Sequence, residues 1–239
     1  MRVPAGGPVN GTVRLVPSVP EAFADLVAAE LTTAGPAYAL FLSGGGTAAD
    51  CYRALAGRTG LPWRHVDCYL SDERCVPPDD PDSNHRMIVE TLLDRVGPVR
   101  ADHPMYTSGS PSAAAADYQD LVAAIVPDLV HLGLGPDGHT ASLFPGSTAL
   151  DDDDPAHLVV ANADPNGVNH HERLTLTYAG IARARRTVVT VAGSSKREAL
   201  ARIMAGEDLP AARVTGAHLL WLVDADALGD GTADIVGHP

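Results

Sequence analysis

The sequence has few aromatic residues, few cysteines and no long apolar stretch. Aromatic residues make up 5% of the 239 residues, which disfavours a stacking surface for single-stranded nucleic acid. Three cysteines, Cys51, Cys68 and Cys75, form no CxxC pair, so we expect neither a disulfide framework nor a structural zinc site. Because no run of 18 apolar residues and no apolar leader occur, we expect a cytoplasmic protein without a membrane segment.

Positive charge is also scarce. Lys and Arg number 17 against 30 Asp and Glu, for a net charge of −13. Such a surface does not attract a phosphate backbone, so we expect no nucleic-acid partner. A small anionic substrate is still compatible, because a local cluster of cations can outweigh distant charge that salt screens. The length predicts one domain over residues 1–239, with two small domains as the alternative.

Short apolar runs alternate with helical patterns along most of the chain. This alternation predicts an α/β fold with a mostly parallel sheet covered on both faces. Predicted strands occupy residues 38–42, 66–70, 128–134, 157–161, 173–177, 186–192 and 217–223. Predicted helices follow the capping-box pattern at residues 18–21 and occupy residues 48–55, 85–95, 110–125 and 197–204.

A glycine-rich loop links the strand at residues 38–42 to the next helix. It consists of Ser43, Gly44, Gly45, Gly46 and Thr47. Free backbone N–H groups beside a positive helix end favour anion binding, and a merely tight turn is the alternative. The loop fits the loose dinucleotide pattern GxGxxA, but a Walker-type nucleotide loop is excluded because no Gly-Lys-Ser/Thr follows.

The strand at residues 128–134 ends in a second glycine-rich turn, which carries Asp137 and His139. In an open α/β sheet, ligands bind at the carboxyl ends of strands, and these two residue types suit proton transfer. A tight turn with a surface Asp and a solvated His is the alternative. No serine of the chain lies in a GxSxG elbow, which argues against a serine nucleophile.

Charged residues also follow other predicted strands. Asp72 and Arg74 follow one strand, Lys196 follows another, and Arg173 begins a third. Shared carboxyl ends would bring cations, acids and loop N–H groups together, a set that suits a phosphorylated polyol. Alternatively, Arg74 pairs with Asp72 or Glu73, and Lys196 is a surface lysine. Metal binding by the adjacent His170 and His171 is not expected, because neighbouring strand residues face opposite ways.

Together these motifs resemble the 6-phosphogluconolactonases of the pentose phosphate pathway. The matching residues are 43–47, 72–74, 76–77, 83–84, 133–146, 173–175 and 193–196. The resemblance implies a three-layer α/β/α sandwich with a modified Rossmann-like, mostly parallel sheet, as in ribose-5-phosphate isomerase and glucosamine-6-phosphate deaminase. It also implies hydrolysis of 6-phospho-D-glucono-1,5-lactone to 6-phospho-D-gluconate, without a metal or organic cofactor. We expect a monomer, with a homodimer as the alternative.

The resemblance also assigns roles. It implies that His139 is the general base, that Asp137 orients its imidazole, and that Arg74 or loop N–H groups stabilise the oxyanion. The residues expected to bind the substrate or its phosphate are Ser43, Gly44, Gly45, Gly46, Thr47, Asp72, Arg173 and Lys196.

Two other functions stay open at this point. One is a deaminase or isomerase acting on glucosamine 6-phosphate, and the other is a non-catalytic sugar-phosphate-binding protein. The deaminase relative carries a catalytic Glu five residues after the histidine, where this chain has Phe144. A phenyl ring neither carries a proton nor orients a histidine through a hydrogen bond, so the resemblance favours the lactonase.

Overall fold

The computed structural model describes residues 9–229. Its strands are β1 (Thr12–Leu15), β2 (Tyr38–Leu42), β3 (Val66–Leu70), β4 (Asp72–Arg74), β5 (Ala101–Asp102), β6 (Leu129–Gly133), β7 (Val159–Asn162), β8 (Arg173–Leu176), β9 (Arg186–Val191) and β10 (Leu219–Val223). Its helices are α1 (Val19–Thr33), α2 (Gly46–Ala56), α3 (Asn84–Thr91), α4 (Pro111–Ala123), α5 (Tyr178–Ala182), α6 (Arg197–Met204) and α7 (Ala225–Leu228).

Seven strands form one parallel sheet in the order β1-β10-β9-β6-β2-β3-β5. From β2 the chain proceeds to β3 and β5 on one side, and from β6 it proceeds to β9 and β10 on the other. Right-handed crossovers therefore place α1, α2 and α3 on one face, and α4 and α6 on the opposite face. Contacts of α2 with both α1 and α3 agree with this assignment. The predicted α/β/α arrangement is confirmed.

The interior strands are apolar because both of their faces are covered. All five residues of β2, β3 and β10 are buried. Each fully buried Leu or Val side chain contributes about 1.5–3 kcal/mol to folding. Trp221, Tyr52 and Phe23 are among the largest fully buried side chains of this core. Within residues 9–229, no helix combines the length and apolar character that crossing a bilayer requires.

A second, antiparallel sheet in the order β4-β8-β7 lies outside the main sheet. The predicted strands at residues 157–161 and 173–177 belong to this sheet, as β7 and β8. Residues 72–74, expected only as a strand end, form β4, and Arg74 pairs with Arg173 in register. The sequence patterns missed this pairing, as well as β1 and the two-residue β5.

Serine residues begin several helices. The side chain of Ser18 accepts a hydrogen bond from the backbone of Glu21, and Ser110 does the same for Ala113. Ser83 caps α3, which ends at Thr91 and is followed by a 3₁₀ turn at Leu93–Arg95. The predicted helix at residues 85–95 is therefore too long at its end, where Leu92 leaves helical backbone angles.

Candidate active site

The site lies at the carboxyl ends of β2 and β6. From β2 the chain continues towards one edge of the sheet, and from β6 it continues towards the other. These strands are neighbours in the sheet, and their carboxyl ends lead into the two glycine-rich loops. Such a switch point leaves a crevice above the sheet, which is where α/β proteins bind ligands. A cavity of about 210 Å³ occupies it. Its lining residues are Ser43, Gly44, Gly45, Asp72, Arg74, Asn84, Gly133, Leu134, Gly135, Pro136, His139, Ala141, Asn169 and Lys196.

Most of the predicted site residues therefore meet in one cavity, although they are spread over more than 150 positions of the chain. Gly46 and Thr47 are not part of the lining, because they form the first turn of α2 behind Gly45. Asp137 and Arg173 are not part of it either. Each contacts a residue of the lining: Asp137 is hydrogen-bonded to His139, and Arg173 pairs in register with Arg74.

Asp137 holds the imidazole of His139. Its Oδ1 lies 2.6 Å from Nδ1 of His139 and also accepts the backbone N–H of His139 at 3.1 Å. A neutral imidazole that donates Nδ1–H to this carboxylate carries its lone pair on Nε2. The carboxylate thus shapes the turn and orients the ring, so the two roles that the sequence left as alternatives are compatible.

The Asp137–His139 pair depends on a glycine beside it. A Cβ atom on Gly135 would lie 2.2 Å from His139 Nδ1 and 2.7 Å from Asp137 Oδ1. On the other side, the ring of Phe144 meets the imidazole edge-on, with centroids 5.1 Å apart. Burial acts to raise the pKa of Asp137, but hydrogen bonds and charge from His139 outweigh it, and the pKa is lowered. Asp137 therefore stays ionised at neutral pH.

Backbone geometry at the glycine loop also needs glycine. Gly45 has a φ of +93°, which L side chains rarely adopt. A Cβ atom on Gly44 would lie 1.9 Å from Oδ1 of Asn84, so the loop approaches α3 too closely for a side chain. Gly45 caps α2, and the amide groups of the first helical turn have no partner within the helix. They are therefore available to an anion.

The two acids after β3 have different environments. Asp72 is buried and accepts a 2.7 Å hydrogen bond from the hydroxyl of Ser142. Glu73 is also buried, and its carboxylate accepts backbone N–H groups at the start of α3, from Asn84 and His85. Burial raises the pKa of Glu73, although these backbone hydrogen bonds oppose the shift. Glu73 thus anchors α3, while Asp72 lines the cavity.

Arg74 and Arg173 form a close pair of cations on neighbouring strands. Among residues 9–229, neither guanidinium makes an ion pair with Asp72 or Glu73; Nη1 of Arg74 instead donates to the backbone oxygen of Asp82. Arg173 is buried, and its Nη1 has no hydrogen-bond partner among the described residues. Burial, together with the positive charge of Arg74, lowers the pKa of Arg173. A buried guanidinium without a partner is costly, so this arrangement favours an anion here.

Lys196 supplies the third cation and is the only lysine in the sequence. It is half-buried, it lines the cavity, and it lies in a 3₁₀ turn at Ser194–Lys196 just before α6. Burial lowers its pKa, and the charge of Asp137 opposes that shift. The alternative of a surface lysine does not match this environment.

Two asparagines of the lining were not assigned to the site from the sequence. Asn84 is the first residue of α3 and donates through its side chain to the backbone oxygen of Asp72. Asn169 is held by two hydrogen bonds to Asp164. The sequence did point to Asn84, because Ser83 and Asn84 are among the residues that carry the family resemblance. No pattern marked Asn169, which comes from an irregular loop.

The rest of the described chain offers no competing centre of chemistry. A larger groove of about 560 Å³ lies beside the start of β3 but contains none of the predicted residues. Among residues 9–229, no group of three or more His, Cys, Asp or Glu side chains could hold a metal ion. His171 instead contacts Asp82 at 2.9 Å.

Comparison with known proteins agrees with the site. The sequence model of the family described as glucosamine-6-phosphate isomerases/6-phosphogluconolactonase matches residues 12–221. The chain belongs to this family. A 6-phosphogluconolactonase of Synechocystis sp. is 41% identical over 202 residues, which cover 78% of this chain and 81% of that protein. One of Rhizobium meliloti is 37% identical, with 79% and 84% covered.

Solved structures of the glucosamine-6-phosphate isomerase/6-phosphogluconolactonase family share the fold. The 6-phosphogluconolactonase of Thermotoga maritima is 29% identical, with a TM-score of 0.74 over 89% of this chain and 99% of that chain. A monomeric glucosamine-6-phosphate deaminase superposes with a TM-score of 0.75 at 21% identity, covering 90% and 98%. That second likeness concerns the fold alone. The family resemblance predicted from the sequence motifs is confirmed.

Proposed function

We propose that the chain hydrolyses 6-phospho-D-glucono-1,5-lactone to 6-phospho-D-gluconate. The observation that carries this proposal is the Asp137–His139 pair at one wall of a cavity that also holds Arg74 and Lys196. A proton-transfer group beside several cations suits a neutral reacting centre joined to a phosphate. The relatives named 6-phosphogluconolactonase, at 37–41% identity, support the same substrate and reaction.

His139 acts as the general base. Its Nε2 takes a proton from a water molecule whose oxygen bonds to C1 of the lactone. The carbonyl oxygen then becomes a tetrahedral oxyanion. When the bond between C1 and the ring oxygen breaks, the protonated imidazole returns a proton to that oxygen. Asp137 stabilises the transient imidazolium and keeps the ring oriented throughout. No cofactor is required, because a lactone is already an activated ester.

The oxyanion needs donors that are in place before the reaction. Arg74, Gly44 and Gly45 line the same cavity as His139, and the guanidinium and the two backbone N–H groups are the donors available there. A preorganised donor of this kind contributes on the order of 3 kcal/mol to transition-state stabilisation. Asp72, fixed by Ser142, accepts hydrogen bonds from sugar hydroxyl groups.

The phosphate binds between the start of α2 and the remaining cations. Lys196 and Arg173 provide charge-assisted hydrogen bonds, and the backbone from Ser43 through Thr47 provides N–H donors. The unpartnered, buried Nη1 of Arg173 supports this arrangement, since a phosphate oxygen would satisfy it. Arg173 pairs with Arg74 in register, so the two side chains leave the same face of the small sheet.

Phe144 argues against the deaminase alternative. It is buried against the imidazole of His139, at the position where the resemblance expects a catalytic Glu in deaminases. An apolar ring there does not relay a proton through His139. The non-catalytic alternative is less consistent with the Asp137–His139 pair, because simple binding of a sugar phosphate needs no oriented base.

An assay of acid release tests the proposal. The lactone is generated enzymatically, and its hydrolysis is followed with and without the purified chain, so that spontaneous opening is subtracted. We expect a rate proportional to protein concentration, and no ammonia release from glucosamine 6-phosphate. A rate equal to the spontaneous one would contradict the lactonase. Ammonia release would instead support the deaminase.

The domain organisation, the oligomeric state and the location of the chain are also proposals. We propose that residues 1–239 form one domain that acts as a monomer in the cytoplasm, with a homodimer as the alternative. Light scattering of the purified chain measures its mass in solution, and cell fractionation tests its location.

A further inference from the structure

A chain of buried polar groups runs beneath the glycine loop. The hydroxyl of Tyr52 accepts the backbone N–H of Ser43 at 2.6 Å and lies 3.0 Å from the backbone oxygen of the same residue. It also lies 2.9 Å from Nδ1 of His131. On the far side of that ring, Nε2 lies 2.9 Å from the hydroxyl of Thr190.

These groups connect the central strands to the loop. Ser43 directly follows β2, His131 belongs to β6, and Thr190 belongs to β9; these three strands are adjacent. Tyr52 projects from α2, the helix that begins where the glycine loop ends. Its hydroxyl therefore ties the body of α2 back to the residue that starts the loop. The backbone between Ser43 and α2 is fixed at both ends.

Each group in this series of buried polar groups can donate its hydrogen to the next, from Ser43 through Tyr52 and His131 to Thr190. Ser43 N–H donates to Tyr52, whose O–H donates to Nδ1 of His131. Nε2–H of His131 then donates to Thr190, whose hydroxyl lies 3.5 Å from the backbone oxygen of Leu132. This order of donation requires the imidazole of His131 to be neutral. Burial lowers the pKa of His131 to about 3, which keeps the ring neutral at physiological pH.

The ring of His131 has little freedom to move. It is fully buried, and Phe23 packs on it with ring centroids 4.2 Å apart. The hydroxyl of Tyr52 is therefore held at a defined height below the loop. Neither residue lines the cavity, so neither touches a ligand there.

We propose that Tyr52, held by His131, is a positioning residue that sets the glycine loop for the substrate's phosphate. This inference rests on the proposed function, because it assumes that the phosphate binds against residues 43–47. Without the hydroxyl, the buried N–H of Ser43 loses its acceptor and the loop shifts to regain one. The donors at the start of α2 then no longer converge on the phosphate.

Tyr52→Phe tests the proposal, with Tyr118→Phe as the matched control. Tyr118 is also a buried helix residue whose hydroxyl bonds to a backbone N–H and C=O, both of Leu70 at the end of β3. Both variants lose a comparable buried hydroxyl. We expect Tyr52→Phe to raise KM for the lactone, and Kd for 6-phosphogluconate, by about tenfold with a smaller change in kcat. Tyr118→Phe is expected to keep both affinities.

Equal KM values for Tyr52→Phe, Tyr118→Phe and the wild type would overturn the proposal, even if Tm falls. Thr190→Val provides a milder test should Tyr52→Phe fail to fold. It removes the hydroxyl that lies farthest from the glycine loop in this series of hydrogen bonds, and we expect a smaller rise in KM. An unchanged KM counts against the proposal. Lys196→Met distinguishes a failure of the positioning role from a failure of the proposed phosphate site. If Lys196→Met weakens binding and Tyr52→Phe does not, only the positioning role fails. If neither weakens it, the proposed phosphate site fails.

Discussion

Oδ1 of Asp137 lies 2.6 Å from Nδ1 of His139 and accepts the backbone N–H of the same residue at 3.1 Å. One carboxylate oxygen therefore fixes both the turn and the ring that the turn carries. The two residues are separated only by Gly138, whose φ of +89° permits this tight arrangement. The pair leaves Nε2 of His139 as the nitrogen that can take a proton.

Asp137→Asn tests the orienting role. The amide of Asn can donate to Nδ1, which favours the tautomer with the proton on Nε2 and leaves no base facing the cavity. We expect kcat to fall by about a hundredfold or more, with KM nearly unchanged. Steady-state kinetics of lactone hydrolysis measure both constants. A variant with wild-type kcat would limit Asp137 to shaping the turn.

Gly135→Ala tests the packing of the pair. An added Cβ would lie 2.2 Å from His139 Nδ1, so the imidazole must move. Displacement of a catalytic group by about 1 Å costs on the order of a hundredfold in rate. Gly35→Ala is the matched control, because an added Cβ there meets no atom within 4 Å. Equal kcat values in the two variants would show that the imidazole adapts without cost.

Lys196 can be probed chemically as well as by mutation. It is the only lysine, and burial lowers its pKa, so an amine-directed reagent should modify it at a lower pH than an ordinary lysine side chain. We expect 6-phosphogluconate to protect it, as read by mass spectrometry of the peptide. Lys196→Met and Arg173→Met should each raise KM by roughly tenfold while kcat changes less. Modification that the ligand does not slow would place the phosphate elsewhere.

His131 should make the folded chain sensitive to acid. Its pKa is about 3 in the folded protein, against about 6.5 for a histidine in an unfolded chain. The unfolded state therefore binds a proton first, and stability falls as the pH drops from 6.5 towards 3. By pH 5 this effect amounts to about 2 kcal/mol of the free energy of unfolding.

Urea unfolding at pH 7.5 and pH 5 measures that loss. His131→Gln should lose about 2 kcal/mol less than the wild type between the two pH values. His65→Gln, a substitution at an exposed histidine, should behave as the wild type does. If all three proteins show the same difference, the buried imidazole does not control acid stability.

The central sheet was predictable because its strands are apolar on both faces. Residues 38–42 and 66–70 coincide with β2 and β3, since turn signals bound each run. β1 was not predicted, because Thr12–Leu15 is a short edge strand with partly exposed residues. The three charged residues of β4 do not resemble a strand locally. They form one because β8 pairs with them, and this contact between distant segments has no local signal.

The site was predictable where chemistry coincides with strand ends. Asp137 and His139 stand out because an acid and an imidazole interrupt a glycine-rich turn after a strand. Asn169 had no such context, since its place in the lining depends on how the loop anchored by Asp164 folds over the sheet. Glu73 was expected only as a possible partner of Arg74, but its carboxylate accepts backbone N–H groups at the start of α3.

The role of His139 as general base is tested most directly by the kinetics of His139→Gln, with a parallel titration of 6-phosphogluconate. Glutamine keeps the polarity and much of the volume of histidine but cannot serve as a base. We expect kcat for the lactone to fall by about 10²–10⁴-fold, while Kd for 6-phosphogluconate stays near that of the wild type. A His139→Gln variant that hydrolyses the lactone at the wild-type rate would contradict the assignment of His139 as the general base.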